Sequence, residues 1–317
     1  MDLKQLEYIV AIEKYGNLSK AAQKLYITPS ALNQQLSKLE KELNLELFTR
    51  NQRQLTPTAA GQIYLNTARE MLAMKQATYA RLQDISNCQS GIYKLGLTYD
   101  HGNEIFAHVY PAFHRNYPGI ELRCFQMLVP EIHQMLVKRQ LDLALILTGN
   151  PEQYTDIEYV HFSTENLLLG LPASHPLAAN IKLEACPYHT IDLSLLKDES
   201  FAMALKQTTM RKELLDPMFE RAGFKPHVIM ESCLNHFLEQ LCASGICSCI
   251  IPQSMVTNKT DIAWFYLPGA PRFDFGVAYP KGMYINRALQ NFIDLTRELA
   301  NAHFDFPQPW DPYNMKG

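Results

Sequence analysis

The run "LSKAAQKLYITPSALNQQLSKLEKEL", residues 18–43, decides the fold of the N-terminal region. Within it Thr28 can cap a helix, and Pro29 fits the first helical position, where no N–H is needed. From there Leu32, Leu36, Leu39 and Leu43 recur at spacings of four, three and four, which is one helical face turned to a core. Ser30, Asn33, Gln34, Ser37 and Lys38 form a second, hydrogen-bonding face. Upstream, Leu3, Leu6, Ile9 and Val10 follow helical spacing up to Gly16-Asn17. Ser19 is read as the cap of a short helix that packs through Ala22 and Leu25. The region therefore reads helix, helix, tight turn, helix.

A polar stripe alone is more often a solvated face than a reading surface. Three neighbours change that balance. A helix and tight turn before it make the helix-turn-helix geometry, which offers its second helix to the major groove of DNA. Asn and Gln can pair bidentately with adenine N6 and N7. Finally "LFTRNQRQLTPT", residues 47–58, reads as a β-wing that places Arg50 and Arg53 on phosphates or in the adjacent minor groove. With no arginine on the reading helix, adenine-biased contacts are expected, and cationic affinity falls to the wing and Lys38.

The run from Asn17 to Gly61 resembles the winged helix-turn-helix of the LysR-type transcriptional regulators. The resemblance is carried by Ala21-Ala22, Leu25, Ser30-Ala31-Leu32, Leu36, Leu39-Glu40, Leu43, Leu47-Phe48, Arg50, Thr58, Ala60 and Gly61. It implies that double-stranded DNA is read from the start of the third helix and from the wing. Those places hold Thr28, Pro29, Ser30, Asn33, Gln34 and Arg53 in this chain. Asn33 and Gln34 stand where the family favours Ser then Arg, which puts the usual base preferences in doubt. The resemblance further implies dimers through the helix after the wing, assembly of dimers into tetramers, and RNA polymerase as a further partner.

From Thr58 to about Asn87 no proline interrupts, and no glycine follows Gly61, so one helix of about 45 Å is expected. Leu65, Ala68, Leu72, Tyr79 and Leu82 trace a heptad-like seam along it. Packing on its own domain would use the same stripe. Dimerisation is the expected reading, because half-sites need paired readers. "NCQSG", residues 87–91, reads as a hinge, and beyond it short apolar strands alternate with helices. "LDLALIL", residues 141–147, has the continuous apolar character of a strand buried on both faces.

The expected fold is therefore α/β: a winged helix-turn-helix at 1–60, a linker helix at 61–88, and a periplasmic-binding-protein-like effector domain at 89–317. The last divides into two βα sub-domains, about 92–160 with 268–303, and about 161–267. A C-terminal helix near 284–302 is expected to return and cover the first. "ASHPLA", "FERAGFKP" and "GICSCIIP" look like fragments of the LysR-type effector domain, with Cys247 where glycine is frequent. In that architecture an effector lies between the sub-domains, which points to Thr98, Tyr99, Asp100, Gln126, Thr148, Gln207, Thr208 and Thr209. The hydroxyls and N–H groups opening the helix at 209 could hold a carboxylate, although Thr208 or Thr209 could equally be a plain cap. No arginine cluster stands among these residues, so a small monoanion or a neutral polar metabolite is expected.

Composition excludes several classes. At 317 residues and 47% hydrophobic, the chain can bury the cores of more than one domain. The net charge of −3 divides unevenly: residues 1–90 carry 11 Lys/Arg against 8 Asp/Glu, and the rest 18 against 24. That asymmetry is too weak to argue for a polyanion partner by itself. Seven cysteines without a C-x-x-C pair read as reduced thiols, with no metal site. Neither a leader nor an apolar run near 18 residues is seen, so a cytoplasmic protein without membrane partners is expected. No Walker, zincin, nucleophile-elbow or dinucleotide-binding pattern occurs, so neither enzyme activity nor a cofactor is expected. The alternative reading, a solute-binding protein built on the same cleft, would want a leader and no DNA-reading head.

Overall fold

The computed structural model describes residues 2–51, 54–85, 90–179, 189–257, 260–269 and 271–303. The chain divides into two compact units, Met1–Cys88 and Gln89–Gly317.

The first unit opens with α1 (Leu3–Tyr15), α2 (Leu18–Lys24) and α3 (Pro29–Leu43). Asn17, not Ser19, caps α2: its Oδ1 accepts from the Ser19 and Lys20 N–H groups at 2.9 and 3.1 Å. Thr28 caps α3 by accepting from the Ala31 N–H at 3.1 Å, with Pro29 at the first helical position. Strands β1 (Phe48–Asn51) and β2 (Gln54–Pro57) pair antiparallel as the wing. The Glu40 carboxylate anchors this ribbon to α3, accepting from the Leu47 and Phe48 N–H groups at 2.8 and 3.3 Å. Ile9, Ile12, Ala21, Ala22, Leu32, Leu36, Leu39, Leu47 and Phe48 make one core. Leu43, expected to join it, is instead 39% exposed at the end of α3.

Helix α4 (Ala59–Ile85) follows the wing. The apolar stripe read from its sequence is in part an internal one. Leu65 and Ala68 are fully buried, and Leu72 is half-buried. Along the same side Arg69 donates to Glu13 at 2.6 Å and Lys75 to Glu7 at 2.9 Å, which fastens α4 to α1. The outward apolar residues are Ile63, Met71, Met74, Tyr79 and Leu82, so only Tyr79 and Leu82 of the expected seam face water.

In the second unit β3 (Ser90–Leu97), α5 (His101–Asn116), β4 (Gly119–Gln126), α6 (Val129–Val137) and β5 (Leu143–Thr148) alternate, with β3 parallel to both β4 and β5. The 16-residue β6 (Ile157–Pro172) then leads through β7 (His189–Thr190), β8 (Ser200–Met203), α7 (Asp216–Arg221), β9 (His227–Glu231), α8 (Asn235–Ala243), β10 (Ser248–Pro252), β11 (Ile262–Tyr266) and β12 (Arg272–Pro280) to α9 (Arg287–His303). The order along the sheet is β4-β3-β5-β12-β6-β10-β8-β9. β6 belongs to both halves: Ile157–Asn166 pairs with β12, and Leu167–Pro172 with β10 and β11. Each half is a lobe with apolar clusters on both faces, under α5 and α9 or α6 in one, and under α7 or α8 in the other. The last helix covers the first lobe through Phe292 against Phe113.

Candidate functional sites

On α3, burial separates the two faces. Leu32, Leu36 and Leu39 are at most 2% exposed, whereas Thr28, Pro29, Ser30, Gln34 and Lys38 are exposed. Asn33 and Ser37, at the flank of the polar face, are half-buried. The outer face presents hydroxyl, amide and ammonium groups on a rigid rod whose opposite side is locked into the core. Such a surface can meet base edges without rearranging the backbone. Arg50 stands in β1 opposite Leu55. Arg53 lies outside the described residues.

The second site is where the lobes meet. Asp100 follows β3 at a positive φ of 61°, and its Oδ2 accepts from the Asn235 N–H at the start of α8 at 2.6 Å. Glu213 crosses in the opposite sense. It sits in a π-helical turn, Met210–Leu215, and its carboxylate accepts from Gly149 N–H at 2.8 Å, Gln153 Nε2 at 2.6 Å and Thr148 Oγ1 at 3.5 Å. Thr209 Oγ1 donates to the Leu147 carbonyl at 3.3 Å, also from lobe to lobe. Between these contacts the buried Glu165 accepts from the Ser254 N–H at 2.5 Å and bonds His101 Nε2 at 3.1 Å. Burial, with the charge of Glu213 beside it, pushes the Tyr154 phenol above its ordinary 10.0, so it stays protonated.

The residues expected to hold an effector fall into this arrangement unevenly. Thr98 and Thr148 are buried, and Thr98 Oγ1 has no hydrogen-bond partner among the described residues. Tyr99 is 40% exposed, and Gln126 donates to Asn103 at 3.1 Å. Gln207 is exposed. Thr208 Oγ1 donates to the Leu205 carbonyl and accepts from the Arg211 N–H at 3.2 Å, so one N–H opening this helix is already taken. Sequence reasoning missed Arg211, which is 6% exposed and holds Asp216 at 2.5 Å and the Ala204 carbonyl at 3.2 Å. It also missed His101, Glu165 and Glu213, whose partners lie 60 to 89 positions away and leave no local signal.

Three of the described cysteines lie together in the core of the second lobe. Cys242 donates to the Gly170 carbonyl at 3.4 Å, and Cys247 and Cys249 lie in the same apolar cluster. Burial pushes the Cys247 thiol up to about 11, and it raises the Cys249 thiol as well. Among the described residues no group of His, Cys, Asp and Glu could hold a metal ion. No helix among them is long and apolar enough to cross a membrane.

A helix-turn-helix head joined to a two-lobed α/β unit with a polar cleft defines a ligand-binding class of transcriptional regulator. Comparison with known proteins makes the class specific. Residues 3–62 match the family model for bacterial regulatory helix-turn-helix proteins of the lysR family, and residues 87–301 match the LysR substrate binding domain. The chain belongs to the LysR family of transcriptional regulators. It is 26% identical over 310 residues to the uncharacterized HTH-type transcriptional regulator YybE of Bacillus subtilis (strain 168), covering 96% of this chain and 99% of that one. It is 30% identical over 266 residues to a probable RuBisCO transcriptional regulator of Porphyra purpurea, covering 82% and 80%. Among solved structures, a variant of full-length OxyR from Pseudomonas aeruginosa superposes with a TM-score of 0.74 at 22% identity, covering 98% of this chain and 99% of that one. Full-length BenM superposes at 0.55 and 18%, covering 98% and 100%. These two likenesses concern the fold alone. The solute-binding reading finds no support beside a matched DNA-binding head.

Proposed function

We propose that this LysR-family regulator reads a paired DNA site through Ser30, Asn33, Gln34 and the ends of its wing, and answers to a small neutral polar molecule held between its lobes. The observation that carries the first part is the outward polar face of α3 above its buried leucines. Thr28, Pro29, Lys38, Arg50 and Arg53 supply backbone contacts beside it. Copies pair through the outward edge of α4, where Ile63 and Met74 are each 72% exposed and Leu82 is 55% exposed. A helix with that much apolar surface in water favours a partner helix. Tetramers would follow from a second contact. The protein acts in the cytoplasm, where its DNA is, and by binding rather than by catalysis.

The neutral character of the effector follows from who occupies the donors. The N–H groups of Gly149, Asn235 and Ser254, which could have donated to an anion, already donate to the carboxylates of Glu213, Asp100 and Glu165. An incoming anion would have to expel a carboxylate and would meet its charge. A neutral polar molecule can use Thr98, Tyr99, Gln126 and Gln207 without that exchange. An effector shifts only an equilibrium between states it binds unequally, so it must alter the lobe-to-lobe contacts.

A thermal-shift screen of neutral and monoanionic metabolites on the full chain tests this reading. Neutral ligands should raise the melting temperature of the wild type, and Thr98→Ala should abolish the rise. A hit confined to carboxylates, unaffected in Thr98→Ala, would remove both the ligand class and the residue. For DNA, affinity for a specific site should fall by orders of magnitude between low and moderate salt.

A further inference from the structure

The turns that follow the first three helices of the N-terminal unit each place a residue at positive φ, but a different residue each time. Gly16 closes α1 at φ 58°, Asn44 closes α3 at φ 51°, and Tyr26 closes the turn after α2 at φ 56°. Gly is the residue that enters the left-handed region without steric cost, and Asn the common substitute. Tyrosine is neither. The turn itself is a regular Schellman closure. The Tyr26 N–H donates to the Gln23 carbonyl at 3.3 Å, and the Ile27 N–H reaches back to Ala22 at 3.1 Å. Ala22 and Ile27 then meet in the core, as that closure favours. Everything the fold needs from the turn is delivered by backbone bonds and by Ile27.

The Tyr26 ring contributes nothing to that core: it is 96% exposed. A backbone-disfavoured residue with an aromatic side chain in water is retained for something outside the unit. Its position says what. Tyr26 lies two residues before the Thr28 cap and continues into the exposed run Thr28-Pro29-Ser30 that starts the reading helix. A phenol there has a hydroxyl to donate to a phosphate oxygen, and a flat apolar ring to lie against deoxyribose.

We infer that Tyr26 is a DNA-backbone contact that seats the start of α3 in its groove, adding affinity that does not depend on base sequence. The inference rests on the DNA-reading assignment of α3. Its test uses the full-length protein with Tyr26→Asn and Tyr26→Phe, a mixed-sequence duplex at low salt, and thermal unfolding beside each binding curve. Tyr26→Asn should melt at or above the wild type, because Asn suits the left-handed position. It should nonetheless bind the duplex about fivefold more weakly, the factor one net hydrogen bond represents. Tyr26→Phe keeps the ring and backbone and should fall between the two. Wild-type base preferences should persist in both. If both variants bind as tightly as a wild type that binds well, Tyr26 has no such role and the α3 assignment stands. If the wild type binds no duplex at all, the α3 assignment falls and this inference with it.

Discussion

The outer face of α3 and the cleft between the lobes are both polar, yet they spend their polarity in opposite ways. On α3, Ser30, Gln34 and Lys38 face water, and the residues that hold the helix in place are on its other side. In the cleft, Asp100, Glu165 and Glu213 are consumed by backbone N–H groups of the facing segments. The first surface can exchange water for a partner at little internal cost. The second can bind only by trading one set of internal bonds for another. A reader of a large, rigid polymer suits the first design, and a sensor that must change shape suits the second.

The sharpest way to break the comparison is to strike the support beneath the reading face. A Cβ on Gly61 would stand 1.9 Å from the Leu47 carbonyl oxygen, which is backbone and cannot swing aside. Gly61→Ala should destabilise the N-terminal unit by about 3 kcal/mol or more, through forced backbone displacement. Denaturant unfolding followed by a probe in that unit would register it. A variant that unfolds with the wild type would mean that α4 and the start of the wing can slide apart freely.

Next is the cleft. Glu165→Ala leaves the Ser254 N–H and His101 without the carboxylate they share, in a place 1% exposed to solvent. A loss of about 3 kcal/mol is expected for stranded buried groups of this kind. Urea unfolding of the C-terminal unit should move, while binding to a mixed-sequence duplex at low salt should not. Equal stability would show that the pair is decorative, and that the lobes are held by their apolar faces alone.

Gln34→Ala turns to the exposed face itself. Stability should stay within about 0.5 kcal/mol, as for an ordinary surface change. Discrimination at one or two base pairs should relax by roughly 1–2 kcal/mol, read by competition between single-base variants of the site. Uniform weakening across all variants would make Gln34 a backbone contact, not a reader.

These expectations also mark what could be read from residues alone. The helix-turn-helix was legible because its signals are local: Thr28 and Pro29 open α3, and three leucines return on one face within eight positions. The seam of α4 was only half legible. Periodicity says that Leu65 and Ala68 are covered, but cannot say that Leu65 shares a core with Ile9 and Ile12 of α1 in the same chain. In the second unit the alternation of strands and helices gave the class, yet β11 and β12 passed unread, and so did the double membership of β6. Their partners lie far along the chain. The same distance hid the cleft chemistry. Asp100 and Thr148 were candidates, while Asn235 and Glu213, 135 and 65 positions away, were not.

The smallest effect concerns the thiols, and it asks whether the C-terminal unit hides a reactive centre beside its cleft. Cys247 is 4% exposed, and burial pushes its thiol from an ordinary 9.0 up to about 11. At neutral pH its thiolate population is then on the order of 100-fold below that of the unfolded chain, before access is considered. Brief iodoacetamide treatment of the native protein should leave the Cys247 peptide unmodified, and the same treatment in denaturant should label it fully, by mass spectrometry. Cys249, fully buried where Cys247 is 4% exposed, should lag behind it. Labelling of the native Cys247 at the unfolded rate would mean that β10 opens readily to solvent. The cleft would then border a loose strand, and its internal hydrogen bonds would no longer distinguish it from the solvent-facing surface of α3.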